Sequence, residues 1–162
     1  MKVKIGKHKE NRKVDIVIHD YDTFSLDTTL AQIIYPALVR FKTERVKMPG
    51  IPLDFLDDEE IDETGNHTKA ALDRGEKRFM ETLDKMIWSF REIAEDFPGE
   101  SQFFLKNGKK WKTKKIKRGN KHMGSELVET GLELDKEGLT EYTNKIQEGL
   151  TLFGKHYRTL WW

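Results

Sequence analysis

The chain has 162 residues, with 29 Lys and Arg against 28 Asp and Glu and a net charge of +1. This length suits one domain with its own core, and nine Phe, four Trp and four Tyr argue against general disorder. The absence of cysteine excludes disulfides, thiolate metal sites and thiol nucleophiles, and it favours a reducing cytoplasm. No apolar run approaches membrane-spanning length, and no signal peptide is expected. The near-neutral charge gives no overall attraction to nucleic acid.

The first part of the chain predicts a strand and a helix. Residues 13–19 are rich in β-branched side chains and predict a strand, and residues 3–5 could form a short partner strand. Asp27 is a good N-cap, with Thr28 as a weaker choice, for a helix over residues 27–47. Pro36 lies inside that helix and removes one backbone donor, so we expect a kink there.

An acidic loop and a second helix follow. Residues 54–63 hold seven acidic residues in ten positions, and His67 is near, but the run lacks the central glycine of an EF-hand loop. We therefore interpret it as a solvated loop rather than a metal site. Thr68 or Asn66 could cap a helix over residues 68–97.

The remainder predicts a basic hairpin, a further strand and a terminal helix. Strands over 102–106 and 109–116 flank Asn107-Gly108, the strongest short hairpin signal available, which predicts a basic hairpin over 102–118. A strand over 126–134 precedes a helix over 140–162. The sum is a single α+β domain over residues 1–162, with three main helices and a small, mostly antiparallel sheet.

The terminal helix carries a row of large apolar residues at steps of three and four. We expect this row to be shielded in the core or on another subunit, because exposing it to water would be costly. Gly149 and Gly154 interrupt the helix and are interpreted as points of close packing. The row comprises Tyr142, Ile146, Leu150, Phe153, Tyr157, Leu160 and Trp161.

Trp88 is the most suggestive single residue for binding. It lies off the apolar stripe of its helix, with charged residues one turn away on either side. Such an aromatic could stack a base, meet another subunit, or pack under the basic hairpin. His156 and Arg158 lie in the last turns of the terminal helix, where cations suit the helix dipole and could also contact an anion.

Two other constellations have weaker support. His19, Asp20 and Asp22 follow a strand end and could do acid–base work or hold a metal, but no second histidine motif accompanies them. The basic run that includes Lys112, Lys114 and Lys115 could follow a phosphate backbone. Alternatively, these lysines could be neutralised by acidic residues of the following strand, if that strand pairs with theirs. The common nucleotide-binding and hydrolase motifs are absent from the sequence.

Three segments together resemble a family of small, mostly uncharacterised proteins of tailed bacteriophages. They are Asp-Thr-Thr-Leu-Ala-Gln-Ile-Ile-Tyr-Pro-Ala-Leu over 27–38, Leu-Asp-Lys-Met-Ile-Trp-Ser-Phe over 83–90, and Gly-Leu-Thr-Leu-Phe-Gly-Lys-His-Tyr-Arg-Thr-Leu-Trp over 149–161. Lys85 stands where the family commonly has an acidic residue, and His156 where it commonly has tyrosine. The resemblance implies a phage origin and action in the host bacterial cytoplasm, and it transfers no activity.

By analogy with phage proteins that evade host defence, we expect a non-catalytic homo-oligomer that sequesters a nucleotide-derived defence signal without a metal or cofactor. One alternative is a metal-dependent, phosphodiesterase-like hydrolase using His19, Asp20 and Asp22. The other is a nucleic-acid or host-protein binding module that uses the basic hairpin. The residues expected to bind the ligand are Trp88, Arg91, His156, Tyr157, Arg158, Asp27 and Thr28.

Overall fold

A computed structural model describes residues 1–7, 10–45, 50–56, 61–106, 112–118, 121–129 and 132–160. The chain divides into two compact units, one of Met1–Phe97 with Lys145–Trp162 and the other of Pro98–Asn144. Three long helices and three antiparallel strand pairs are described, which confirms the α+β fold class. The assignment of residues 1–162 to a single domain stays a prediction.

The first unit begins with a two-stranded hairpin. Strand β1 (Lys2–Ile5) pairs antiparallel with β2 (Val14–Val17), as the β-branched pattern predicts. A single 3-10 turn, Asp20–Thr23, leads from the hairpin towards the first helix. The Asp22 carboxylate accepts hydrogen bonds from the Met1 amino group at 2.6 Å and from the His19 backbone N–H at 2.8 Å. These contacts tie the turn to the start of β1.

Helix α1 (Leu26–Arg45) starts one residue earlier than predicted. The Ser25 carbonyl accepts the Thr29 N–H at 3.0 Å, so Asp27 is a first-turn residue and the prediction that it is the N-cap is wrong. Its carboxylate still suits the positive end of the helix dipole. The helix continues through Pro36, and its predicted end at residue 47 lies outside the described residues.

Helix α2 (Lys69–Ala94) forms the centre of this unit. The Thr68 hydroxyl accepts the Ala71 N–H at 3.2 Å, which confirms Thr68 as the cap. The helix ends before residue 97 because Asp96 and Phe97 have φ values of 60° and 55°, in the left-handed region. Its large buried side chains are Phe79, Leu83, Met86, Phe90 and Ile93.

Aromatic rings join α2 to the segments on its buried side. Phe79 makes edge contacts with Phe41 of α1 at 6.4 Å and with Phe55 at 5.0 Å between ring centroids. Phe55 belongs to a short 3-10 turn, Leu53–Phe55, inside the predicted acidic loop. The buried Arg45 guanidinium lies 5.2 Å from the centre of the Phe79 ring. Residues 57–60 of the acidic loop lie outside the described residues.

Helix α3 (Lys136–His156) starts four residues before the predicted Thr140 and is followed by a 3-10 turn, Tyr157–Thr159. The earlier start follows from Asp135, whose carboxylate accepts the Gly138 N–H at 2.9 Å and so acts as the cap. Of the predicted apolar row, Tyr142 and Ile146 are buried, whereas Tyr157 is 65% exposed. The terminal tryptophans lie outside the described residues.

Helices α2 and α3 approach closely around Gly149. The Ser89 hydroxyl donates to the Lys145 carbonyl at 3.3 Å. A Cβ atom at Gly149 would lie only 2.6 Å from both the Lys85 carbonyl oxygen and the Ser89 Cβ, which confirms close packing there. The same interpretation is wrong for Gly154, where a Cβ would meet no described atom within 4 Å.

The second unit contains two separate antiparallel strand pairs. Strand β3 (Phe104–Lys106) pairs with β6 (Leu132–Leu134), and β4 (Lys112–Arg118) pairs with β5 (Lys121–Glu129). The predicted hairpin over 102–118 is therefore wrong, because neither of its strands pairs with the other. Strand β3 instead pairs with the distant β6, and this non-local pairing overrides the local Asn-Gly signal. The predicted strand over 126–134 corresponds to parts of β5 and β6.

Within the residues that the structure describes, no helix is both long enough and apolar enough to cross a bilayer.

Candidate functional site

A cavity of about 440 Å³ surrounds Trp88 in the first unit. Three helices contribute to its wall: α1 supplies a tyrosine, α2 supplies most of the side chains, and α3 supplies a lysine. The lining residues are Tyr35, Asp84, Lys85, Ile87, Trp88, Arg91 and Lys145. We call this space the Trp88 cavity.

The α-helical repeat explains why α2 presents these groups together. Asp84, Trp88 and Arg91 follow each other at steps of four and three residues, so they share one face of the helix. Met86 and Phe90, which are buried in the core, project from a different face. The same helix therefore supplies core side chains on one face and cavity side chains on another.

A lysine from α3 lies over the tryptophan ring. The Lys145 ammonium nitrogen is 4.1 Å from the centre of the Trp88 ring, within the range of a cation–π contact. Trp88 is half-buried, whereas Lys145 is exposed. The ring face is thus a surface that already attracts positive charge and can hold a flat or cationic group.

Arg91 brings a second cation to the cavity. One of its terminal nitrogens donates to the Glu92 carboxylate at 2.7 Å. This hydrogen bond raises the pKa of Arg91, against the opposing effect of burial. Its Nε–H is buried and has no hydrogen-bond partner among the described residues. An unpaired buried donor is costly, and an anionic ligand atom would satisfy it.

The other charges on the wall are held by partners outside it. The Asp84 carboxylate accepts from the Lys42 ammonium group of α1. The Lys85 ammonium group donates to Glu148 of α3 at 2.6 Å. These pairs join α2 to both neighbouring helices. The two other cations on the cavity wall, Lys145 and Arg91, are therefore the candidates for contacting a bound anion.

His156 lies in a second cavity of the same unit, of about 370 Å³. The residue is only 3% exposed, its Nδ1 atom has no hydrogen-bond partner among the described residues, and the Asp54 carboxylate is 3.7 Å away. Burial is the main cause that lowers the pKa of His156, with a smaller contribution from Lys155, while Asp54 acts in the opposite direction. The imidazole is therefore favoured in its neutral form and packs against Phe55, 4.6 Å away between ring centroids.

The predicted ligand-binding residues do not form one cluster. Trp88 and Arg91 line the Trp88 cavity, and His156 lines the other one, while Lys85 lines both. The remaining four lie on the wall of neither cavity. Tyr157 makes an edge contact with Phe153, Arg158 is exposed, and Asp27 and Thr28 lie in the first turn of α1.

One of the three residues named in the hydrolase alternative makes contacts that hold the fold together. Asp22 is engaged by the Met1 amino group, which lowers the pKa of its carboxyl group, as does the backbone N–H of His19. Across the described stretches of chain, no group of three or more His, Asp or Glu side chains is placed to hold a metal ion. The first of these observations gives Asp22 a structural role.

Tyr35 and Lys145 are the cavity residues that sequence reasoning missed. They lie on different helices, far from Trp88 along the chain, and only the packing of α1 and α3 beside α2 brings them to it. The sequence offered one signal, the small residue Gly149 one turn after Lys145, which marks where α3 approaches α2.

Comparison of the whole chain with protein-family models, with curated proteins and with solved structures gives no match, so the resemblance to tailed-phage proteins stays a prediction.

Proposed function

We propose that the chain is a non-catalytic binder of a nucleotide-like anion and that the Trp88 cavity is its binding site. The observation that carries this proposal is the combination of a half-buried tryptophan with two cations, Lys145 over its ring and Arg91 one turn along α2. Aromatic side chains stack nucleobases with about 1–3 kcal/mol per base. Arginine and lysine are the usual partners of phosphate.

Lys145 has two roles in this proposal. In the ligand-free protein its ammonium group occupies the ring face on which a base would stack. A stacked base displaces it, and the long flexible side chain then reaches the phosphate of the same ligand. The Arg91 Nε–H, which lacks a partner among the described residues, donates to a second phosphate oxygen.

The ligand is held rather than turned over. Asp84 is the carboxylate on the cavity wall, and its ion pair with Lys42 holds it in a structural contact. The hydrogen bond from Arg91 to Glu92 raises the pKa of the guanidinium. Both groups are therefore engaged in contacts within the protein.

The resemblance to tailed-phage proteins supports a biological role for such binding. We propose that the protein acts in the host bacterial cytoplasm as a homo-oligomer that sequesters a nucleotide-derived defence signal. Sequestration needs stoichiometric binding and no chemistry, which fits a site built from one aromatic ring and two cations. This role rests on analogy rather than on a motif.

The binding proposal is tested by calorimetric titration of the purified protein with AMP, ADP and 3′,5′-cyclic AMP. At least one of these probes should bind, and Trp88→Ala should weaken its affinity by roughly 5- to 150-fold, the equivalent of about 1–3 kcal/mol of stacking. Trp88→Phe should retain part of the affinity, because it keeps an aromatic face. Lys145→Met should weaken binding and reduce its dependence on salt.

The matched control is Lys114→Met, which removes an exposed lysine from strand β4 of the other unit. It should leave binding unchanged. The binding proposal is wrong if every probe fails to bind the wild-type protein, or if Trp88→Ala binds as well as wild type. Recovery of intact nucleotide after denaturation supports sequestration, whereas recovery of a hydrolysed product contradicts it.

A further inference from the structure

One face of the β1–β2 hairpin is entirely apolar and open to solvent. The register pairs Val3 with Ile16 and Ile5 with Val14, so these four side chains share a face, and Ile18 follows at the same spacing. All five are between 37% and 57% exposed. A two-stranded hairpin is marginal in water unless such a face is covered.

The opposite face of the same hairpin is different. There Lys2 pairs with Val17 and Lys4 with Asp15, so three of its four side chains are charged. The hairpin is thus divided into a charged face and an apolar face. Antiparallel sheets commonly show this division, with the charged face in water and the apolar face packed against another part of the protein or a partner.

Two exposed aromatic rings lie in the turn that follows the hairpin. Tyr21 and Phe24 stack with 6.5 Å between ring centroids and are 88% and 87% exposed. They belong to the turn that the Asp22 contact with the Met1 amino group holds beside the start of β1. Exposed aromatic rings of this kind are enriched in protein interfaces.

We propose that this apolar face packs against the same face of a second copy of the chain, about a two-fold axis. An aromatic side chain covers about 150–250 Å² and an aliphatic one less, so the exposed parts of all seven residues amount to at most roughly 800 Å². A standard protein interface buries about 800 Å² from each partner. A dimer that covers all seven residues therefore has the area of a standard interface.

The absence of charge on the apolar face and the lysines at the edge of β1 favour a second copy of the chain as the partner that covers this face. The apolar face carries no charged residue, so two copies meet without repulsion or unpaired charge, and a net charge of +1 adds little long-range repulsion. Lysines along β1 oppose further strand addition at that edge, because self-pairing would bring Lys2 and Lys4 opposite each other. The result is a closed, isologous dimer rather than an open fibre.

This inference specifies the oligomeric part of the proposed function and does not depend on the ligand. Its test compares two variants of neighbouring positions in the same strand. Ile16→Glu places a charge on the apolar face, and Val17→Glu makes a comparable change on the opposite face. The mass in solution is measured by sedimentation equilibrium, with circular dichroism as the check on folding.

The wild-type chain and Val17→Glu should sediment at twice the mass of the chain. Ile16→Glu should weaken the dimer at least about a hundredfold, because each copy would bury an unpaired charge. A monomeric wild-type chain overturns the inference, and so does an Ile16→Glu variant that dimerises as well as Val17→Glu. Trp88→Ala should leave the dimer intact, so failure of the ligand site and failure of the interface are distinguished.

A second experiment remains decisive if Ile16→Glu does not fold. The chain has no cysteine, so a single Ile16→Cys substitution gives one unambiguous thiol. A short bis-maleimide should join two copies of Ile16→Cys efficiently and should join copies of Val17→Cys poorly. Equal cross-linking at the two positions, or none at position 16, contradicts face-to-face packing.

Discussion

Substitution of Gly149 by alanine should destabilise the protein, although alanine is the better helix former. The added Cβ would lie 2.6 Å from the Lys85 carbonyl oxygen, a backbone atom of α2 that cannot rotate away, and 2.6 Å from the Ser89 Cβ. Overpacking of this kind costs about 1–3 kcal/mol, and we expect the upper end because backbone must move. Alanine is favoured over glycine inside a helix by about 1 kcal/mol, which offsets part of this cost. The net loss is about 2 kcal/mol.

Gly154 in the same helix supplies the matched control. A Cβ there meets no described atom within 4 Å, so Gly154→Ala should keep the propensity gain of about 0.8–1 kcal/mol and stabilise the protein. Thermal unfolding followed by circular dichroism measures both variants. For a chain of this size Gly149→Ala should lower Tm by about 4–8 °C, and Gly154→Ala should raise it by about 2–4 °C.

Adding Ser89→Ala to Gly149→Ala tests the cause. This change removes the serine hydroxyl from the contact but leaves the Lys85 carbonyl in place, so it should recover part of the lost stability. A Gly149→Ala variant that is as stable as Gly154→Ala would refute the reasoning, because it would mean that α2 and α3 do not meet as closely at Gly149 as the structure places them.

Three further predictions concern a cap, a titrating group and the basic strand. Thr68→Ala should cost about 1 kcal/mol in denaturant unfolding, because the Ala71 N–H loses its acceptor. Burial lowers the pKa of His156, so the unfolded chain binds the proton more readily than the folded one. The free energy of unfolding should therefore fall as pH drops below about 6.5. In unfolding curves taken at several pH values, His156→Gln should show a weaker dependence on pH. The double variant Lys114→Glu with Lys115→Glu should leave calorimetric nucleotide binding unchanged, and loss of binding would favour the basic strand as the site.

The local signals in the sequence predicted the elements of the first unit well. The β-branched run over 13–19 lies around β2, and residues 3–5 lie in its partner β1. Thr68 caps α2 as its side chain and position predict. These features depend on residues close together in the chain, where propensity and capping act directly.

The strand pairing of the second unit was mispredicted because the sequence contains two competing hairpin signals. Asn107-Gly108 is a strong hairpin signal, yet Lys106 pairs with Leu132. The pairing of Arg118 with Lys121 leaves a Gly-Asn pair between β4 and β5, and this dipeptide is also a two-residue hairpin signal. Which of the two dipeptides forms the hairpin turn cannot be decided without knowing how all four strands pair. In the register of β4 with β5, the backbone of Lys112 lies opposite that of Glu129, and the backbone of Lys114 opposite that of Glu126.

The candidate site was predictable only in part. Trp88 and Arg91 lie on one face of one helix, so their proximity follows from helical spacing alone. Lys145 reaches the ring of Trp88 only because α3 packs against α2 through Gly149 and Ser89. His156 lies in a separate cavity because Phe55 and Asp54 of a short turn pack beside it, which no spacing rule indicates.

The central claim is that this chain holds a nucleotide-like molecule in the Trp88 cavity of a homo-oligomer. Native mass spectrometry of the protein purified from bacterial cells that express it tests this claim most directly, because it reports subunit number and retained small molecules together. We predict a multiple of the chain mass that carries up to one nucleotide-sized molecule per subunit, and loss of that molecule but not of the multiple in Trp88→Ala. A bare monomer would contradict the account.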